Sequence, residues 1–105
     1  MKYILASASP RRKELLELAG FQFEVIPSFI EEKISKTLAP CELVMELALE
    51  KANDVFCKHG QKDCVVIGAD TIVVYRDEIL GKPADKAEAY DMLSMLADRT
   101  HQVYT

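Results

Sequence analysis

Residues 64–75 read CVVIGADTIVVY and form the most strongly β-prone run of the chain. Apolar β-branched residues fit the pleated surface of a sheet, so this run predicts a strand. Arg76-Asp77 predict a hairpin tip that leads into a further strand over Glu78-Ile79-Leu80. One carboxylate, that of Asp70, interrupts the apolar run, and its presence there needs a chemical explanation.

Helices and strands alternate before and after this run. Helices are predicted over 10–19, 40–58 and 85–97, and strands over 3–6, 21–26 and 102–105. Apolar residues near a 3.6-residue period indicate the helices, whose ends carry the typical signals Ser9, Pro10, Gly20 and Asp85. The order β-α-β-α-β-β-α-β predicts an α/β fold with a mixed β-sheet flanked by helices.

The same patterns predict which side chains are buried. The strand over 21–26 alternates, so Phe21, Phe23 and Val25 are expected to face inward. The helix over 85–97 is expected to bury one stripe, formed by Ala89, Tyr90, Leu93 and Leu96. Because the chain stops within a β-prone segment, residues 1–105 are expected to be the N-terminal portion of one longer domain.

Composition excludes several classes of protein. Of 105 residues, 13 are Lys or Arg and 17 are Asp or Glu, which gives a net charge of −4, and half of all residues are apolar. Such a chain is too apolar to be disordered, and it lacks the run of about 20 apolar residues that a membrane helix needs. A mildly acidic chain is also a poor general ligand for nucleic acids. Three widely spaced cysteines indicate neither a disulfide framework nor a zinc site, which favours the reducing cytoplasm.

Residues 7–13, Ser-Ala-Ser-Pro-Arg-Arg-Lys, join the first strand to the first helix. Ser9 suits the N-cap and Pro10 the first helical position. The three cations that follow have the wrong sign for a helix N-terminus, where the dipole is positive. A bound phosphate would resolve this conflict, although a solvated basic turn is the alternative.

Three further positions carry charge in unusual places. An unpaired buried carboxylate is costly, so Asp70 must be paired, bind a metal or face a cleft, and Gly68 beside it leaves room for a ligand. The two sharper interpretations of Asp70 are a general base and a Mg²⁺ ligand, and the alternative is a cap for a neighbouring loop. Lys51 lies on or beside the apolar face of its helix and Lys82 lies between Gly81 and Pro83; each either reaches a phosphate or is an ordinary solvated lysine.

Glu31 and Glu32 form an acidic pair in the loop after the second strand. Paired carboxylates suit Mg²⁺, which prefers oxygen ligands. Solvated surface charge is the alternative.

Taken together, these segments resemble the Maf family of nucleoside triphosphate pyrophosphatases. The matching segments are 5–12 (LASASPRR), 31–32 (EE), 50–52 (EKA), 67–71 (IGADT), 81–83 (GKP) and 99–103 (RTHQV). They occur in the family's order and span nearly the whole chain. The resemblance implies the Maf and inosine triphosphatase type of fold.

The resemblance also implies an activity, namely hydrolysis of a nucleoside triphosphate to the monophosphate and pyrophosphate with Mg²⁺ or Mn²⁺. It implies that Asp70 accepts a proton from water, and that Asp70 and Glu32 bind the metal. The residues implied to hold the triphosphate are Ser7, Arg11, Arg12, Lys51 and Lys82. Arg11 and Thr71 match positions linked to base choice, and they resemble the subgroup acting on dTTP and UTP. Phe29 departs from the family pattern, in which many members carry an acidic residue.

Two other hypotheses remain open at this point. The family's traditional label, septum formation inhibitor, implies a non-catalytic nucleotide-binding regulator of cell division. A partial chain could instead fold only by pairing with another copy of itself, as a homodimer, or with the missing half of its domain. No nucleic-acid or membrane partner is expected.

Overall fold

A computed structural model describes residues 1–31, 37–60, 62–81 and 83–105. Within these ranges the elements follow in the order β1 (Lys2–Leu5), α1 (Pro10–Leu18), β2 (Phe23–Val25), α2 (Pro40–His59), β3 (Cys64–Ile67), β4 (Ile72–Tyr75), β5 (Glu78–Leu80), α3 (Lys86–Leu96) and β6 (Gln102–Tyr104). The predicted α/β class and the predicted positions of the helices are confirmed.

The strands form two small sheets with different pairing. The first has the order β2-β1-β3 and is parallel, and the second has the order β5-β4-β6 and is antiparallel. The fold therefore combines parallel and antiparallel pairing, as predicted, but divides them between two sheets.

The β-prone run over 64–75 is not one strand, and this part of the prediction is wrong. β3 and β4 belong to different sheets, and residues 68–71 form the crossing between them. A Cβ placed on Gly68 would overlap the carbonyl oxygen of Ala48 and lie 3.0 Å from the Cβ of Ala52. Because α2 passes so close to this backbone, only glycine fits at the crossing.

Helix α2 provides the core for both sheets. Near its start, Leu43, Val44 and Leu47 pack with Ile72 and Val74 of β4. Near its end, Val55 packs with Ile4 and Ala6, beside the partly buried Val66 of β3. Its 20 residues make it about 30 Å long, long enough to reach both sheets. The middle of α2 consequently faces the crossing at residues 68–71.

Local signals in the sequence place the ends of the elements correctly. The Ser9 hydroxyl accepts a hydrogen bond from the Arg12 N–H at 3.3 Å, and Asp85 accepts one from the Glu88 N–H at 2.8 Å. Gly20 ends α1 with a φ of +86°, a backbone conformation that favours glycine. At the hairpin tip Arg76 and Asp77 have φ values of +49° and +62°, as in a type I′ turn.

Two predictions of burial are wrong. On α3, Tyr90 is 72% exposed and Leu93 is 69% exposed. On the edge strand β2 and just before it, Val25 and Phe21 are partly exposed, although the Phe21 ring packs edge-on against Tyr3 at 5.4 Å between centroids. An apolar stripe identifies a face that could be buried, but it does not specify which element covers that face.

Candidate active site at the carboxyl ends of the parallel strands

The candidate site lies where the three parallel strands end. Ser7 follows β1, Ser28 follows β2 and Asp70 follows β3, and the three strands run in the same direction. In sheets of this kind ligands bind outside the carboxyl ends of the strands. A cavity of about 470 Å³ opens here, and its lining includes Ser7, Ser9, Arg12, Ser28 and Lys51.

The turn from β1 into α1 forms one wall of this cavity. The Ser9 N–H donates a hydrogen bond to Ser7 Oγ at 3.2 Å, which fixes the turn. Ser9 caps the helix and Pro10 has no N–H to satisfy. The positive end of the helix dipole and Arg12 therefore lie at the same wall of the cavity.

Lys51 and Asp70 form a buried ion pair beside the cavity. Lys51 Nζ lies 3.0 Å from Asp70 Oδ1, and the two side chains are 13% and 7% exposed. Of the three predicted possibilities for Asp70, namely pairing, metal binding and facing a cleft, the structure shows pairing. Lys51 is turned inward rather than toward bulk water. Asp70 Oδ2 is also buried, but it accepts no hydrogen bond from any residue that the structure describes. A buried carboxylate oxygen in that state is a ready acceptor for a ligand, water or metal.

Arg12 is held by a short chain of hydroxyl groups. Its guanidinium donates a hydrogen bond to Thr71 Oγ1 at 2.7 Å, and Thr71 Oγ1 lies 3.1 Å from Thr105 Oγ1. A guanidinium only donates, so Thr71 Oγ1 accepts from Arg12, and either hydroxyl can donate in the contact between Thr71 and Thr105. Thr71, the residue after Asp70, thus orients the Arg12 guanidinium, and Arg12 lines the cavity.

Ser28 lines the same cavity and is hydrogen-bonded to α2. Its hydroxyl donates a hydrogen bond to Asp54 Oδ2 at 2.8 Å, and Lys58 Nζ lies 2.9 Å from Asp54 Oδ1. The hydrogen bonds from Lys58 and then Ser28 lower the pKa of Asp54 below its ordinary value of 3.8. Asp54 is therefore ionised at neutral pH and accepts on both oxygens.

The structure brings together most of the predicted site residues. Ser7, Arg12 and Lys51 line the cavity, Asp70 contacts Lys51, and Thr71 contacts Arg12. Glu32 and Lys82 lie outside the described residues, so their predicted roles stay predictions.

Arg11 is placed differently from Arg12. Its side chain is 72% exposed, pairs with Glu14 at 3.5 Å and is not among the cavity-lining residues. Successive helical residues point about 100° apart, so the two neighbouring arginines leave α1 in different directions. Its predicted role in binding stays a prediction.

Sequence analysis missed the place of two serines in the cavity. Ser9 was recognised only as a helix cap, although it also lines the cavity. Ser28 was not singled out, although a polar residue just after a parallel strand is a usable signal for a site residue.

The donor set is compatible with a hard divalent cation. Mg²⁺ is usually bound by one or two carboxylates together with water and substrate phosphates. Asp70 Oδ2 offers one such oxygen, buried and free of hydrogen bonds from the described part of the chain. Within that part, no three His, Cys, Asp or Glu residues cluster around a point that could hold a metal.

Comparison with known proteins assigns this chain to a family. A family model described as "Maf-like protein" matches residues 2–105. The chain belongs to the Maf family. The resemblance inferred from the sequence motifs is thereby confirmed.

Several curated Maf relatives are highly similar. A Bacillus anthracis protein named "dTTP/UTP pyrophosphatase" is 57% identical over 104 residues, which is 99% of this chain and 53% of the relative. Proteins of the same name from Bacillus thuringiensis subsp. konkukian and Bacillus cereus are 56% and 55% identical, over 53% and 50% of their own lengths. This Maf chain thus spans about half the length of the curated relatives it matches. Within the ranges the structure describes, no helix is both long and apolar enough to span a membrane.

Proposed function

We propose that this chain provides the triphosphate site and the water-activating carboxylate of a nucleoside triphosphate pyrophosphatase acting on dTTP or UTP. The observation that carries the proposal is the buried Lys51–Asp70 pair beside a cavity that Arg12 and the start of α1 also line. Cations and a helix N-terminus bind polyanions. A carboxylate with one oxygen free of hydrogen bonds from described residues can accept a proton from water. The relatives' printed names support the choice of substrate.

The proposed reaction uses the described groups as follows. A water oxygen attacks the α-phosphorus, and its proton passes to Asp70 Oδ2, the oxygen that no described residue engages. The bond from the α-phosphorus to the bridging oxygen breaks, and its electron pair leaves with pyrophosphate. Lys51 holds the other oxygen of Asp70 and so fixes the direction of the free one. Such a reaction depends mainly on positioning and charge neutralisation.

A divalent cation, Mg²⁺ or Mn²⁺, completes the proposal. Asp70 would hold it together with Glu32, which lies outside the described residues. When bound, the cation would neutralise charge on the phosphate oxygens. Ser7, Arg12, Lys51 and Lys82 would contact the phosphates. A cytoplasmic location fits a substrate that occurs there.

Base choice is proposed for Arg11 and Thr71, the two positions that match the family's specificity sites. Thr71 contacts Arg12, which lines the cavity. Arg11 projects outward beside Glu14, and its contribution would require the side chain to leave that partner.

The test measures both the binding of dTTP and the release of pyrophosphate from it, in the presence of Mg²⁺, for the chain and for two single variants. Arg12→Ala removes a cation that lines the cavity. Hydrogen bonds to charged groups contribute about 1.5–3 kcal/mol, so nucleotide affinity should fall about 10- to 100-fold. Lys13→Ala is the matched control, because Lys13 lies on the same helix but pairs with Glu17 at 3.8 Å on the surface.

Each outcome has a defined meaning. Equal affinity of the Arg12→Ala and Lys13→Ala variants for dTTP contradicts the proposed phosphate site. Tight binding of dTTP by the unsubstituted chain without release of pyrophosphate supports the regulator of septum formation instead of the enzyme.

A further inference from the structure

The serine hydroxyls around the cavity differ in what they can offer a ligand. A serine hydroxyl has one proton to donate and two lone pairs that accept. Ser7 Oγ accepts from the Ser9 N–H, and Ser9 Oγ accepts from the Arg12 N–H. Neither donates its proton to a residue within the described ranges, so both protons remain available in the cavity. Ser7 and Ser9 are thus donors, which is the polarity that phosphate oxygens need.

Ser28 has the opposite polarity. Its partner, Asp54, carries an ionised carboxylate, which can only accept, so the proton of the Ser28 hydroxyl is committed to Asp54 Oδ2 at 2.8 Å. The second carboxylate oxygen is held by Lys58 at 2.9 Å, which prevents Asp54 from exchanging partners easily. Ser28 therefore presents only lone pairs to the cavity that it lines.

An acceptor in this place does not suit a phosphate. Triphosphate oxygens are themselves acceptors, and two acceptors facing each other without a proton repel. The donors of a thymidine or uridine triphosphate lie on its nucleoside part, which offers the sugar 3′-hydroxyl and the imide N–H of the base. We infer that Ser28 accepts a hydrogen bond from one of these donors and that Asp54 is a positioning residue that sets the polarity of Ser28. This inference rests on the proposed function and extends it from the phosphates to the nucleoside.

A purely structural role for the Ser28–Asp54 bond makes a different prediction. The bond joins the segment after β2 to α2 across 26 positions of sequence. If it served only to hold that segment, its loss would disturb the cavity for every ligand. If Ser28 accepts a hydrogen bond from the nucleoside, its loss weakens the binding only of ligands that carry a nucleoside.

The experiment compares two ligands by calorimetry in the presence of Mg²⁺. The first is the α,β-methylene analogue of dTTP, which cannot be cleaved at the reacting bond, and the second is inorganic tripolyphosphate. Ser28→Ala is expected to weaken the nucleotide analogue about 2- to 10-fold, the range for one neutral hydrogen bond, and to leave tripolyphosphate unchanged. Asp54→Asn is expected to act in the same direction, because an amide can donate to Ser28 and release its proton. Ser94→Ala, on the exposed surface of α3, is the control and should change neither constant.

Two further analogues identify the donor. One lacks the sugar 3′-hydroxyl and the other carries a methyl group on the imide nitrogen. An analogue that lacks the group recognised by Ser28 cannot be weakened further by Ser28→Ala. The analogue with equal affinity for the variant and for the unsubstituted chain therefore identifies that group.

Three results would overturn the inference. Equal weakening of nucleotide and tripolyphosphate by Ser28→Ala assigns the residue a structural role and leaves the proposed function standing. A full effect of Ser28→Ala on both modified analogues excludes both donors. Failure of the unsubstituted chain to bind either ligand refutes the proposed function, and this inference with it.

Discussion

Replacement of Lys51 by methionine tests the buried ion pair directly. The variant leaves the carboxylate of Asp70, which is 7% exposed, without the ammonium that lies 3.0 Å away. Removing one member of a buried pair typically costs about 3–5 kcal/mol, because the remaining charge is no longer compensated. For a folded chain of about 100 residues each kcal/mol lowers Tm by about 4–8 °C, so even the lower bound corresponds to a fall of about 12–24 °C. Urea denaturation followed by circular dichroism measures the free energy of unfolding.

Two controls separate the buried pair from a general loss of charge. Lys13→Met makes the same chemical change in a surface pair whose side chains are 55% and 56% exposed, and it should cost only about 0.3–0.5 kcal/mol. The double variant Lys51→Met/Asp70→Leu removes both charges and should recover most of the loss, since apolar replacement of a whole buried pair is often neutral. A loss below about 1 kcal/mol for Lys51→Met would refute the claim that Lys51 compensates a buried charge.

Two further predictions concern the support of the site. Gly68→Ala should cost about 1–3 kcal/mol in urea denaturation, because its methyl group meets the Ala48 carbonyl oxygen, whereas Gly81→Ala meets no atom within 4 Å and should leave stability almost unchanged. The hydrogen bonds from Lys58 and Ser28 lower the pKa of Asp54 below 3.8, so the stability they contribute is complete above that value and is lost as the pH falls through the lowered pKa. The free energy of unfolding of Asp54→Asn, measured from pH 6 to pH 2, should therefore fall less steeply than that of the unsubstituted chain, and parallel curves would contradict this.

Sequence patterns predicted those features that depend on neighbours along the chain. The helix cap at Asp85, the stop at Gly20 and the hairpin tip at Arg76-Asp77 all follow from short local signals, and the structure contains each of them. The apolar period of α2 likewise predicted its course from Pro40 almost to its end. These features need no knowledge of the partner elements.

Features that depend on contacts between residues far apart in sequence could not be predicted from such local signals. Tyr90 has the spacing of a core residue but remains exposed, because spacing does not specify what covers a helix face. Arg11 and Arg12 are equivalent in sequence, and only the direction of the helix separates them. The polarity of Ser28 is set by Asp54, which lies 26 positions away.

The candidate site was predictable where it contains charged groups whose burial costs free energy. A carboxylate in an apolar stretch of sequence and a lysine on an apolar helix face both demand compensation, and they compensate each other in the fold. Residues whose presence costs little, such as a serine in a loop, give no comparable signal.

The most direct measurement of the central claim is the rate of pyrophosphate release by Asp70→Asn with saturating dTTP and Mg²⁺. Asparagine keeps the shape of the side chain but cannot take the proton of the attacking water, and general base catalysis typically contributes about 10²- to 10⁴-fold. The account predicts a fall in kcat of that size while dTTP still binds. A variant that binds dTTP and keeps the kcat of the unsubstituted chain would contradict it.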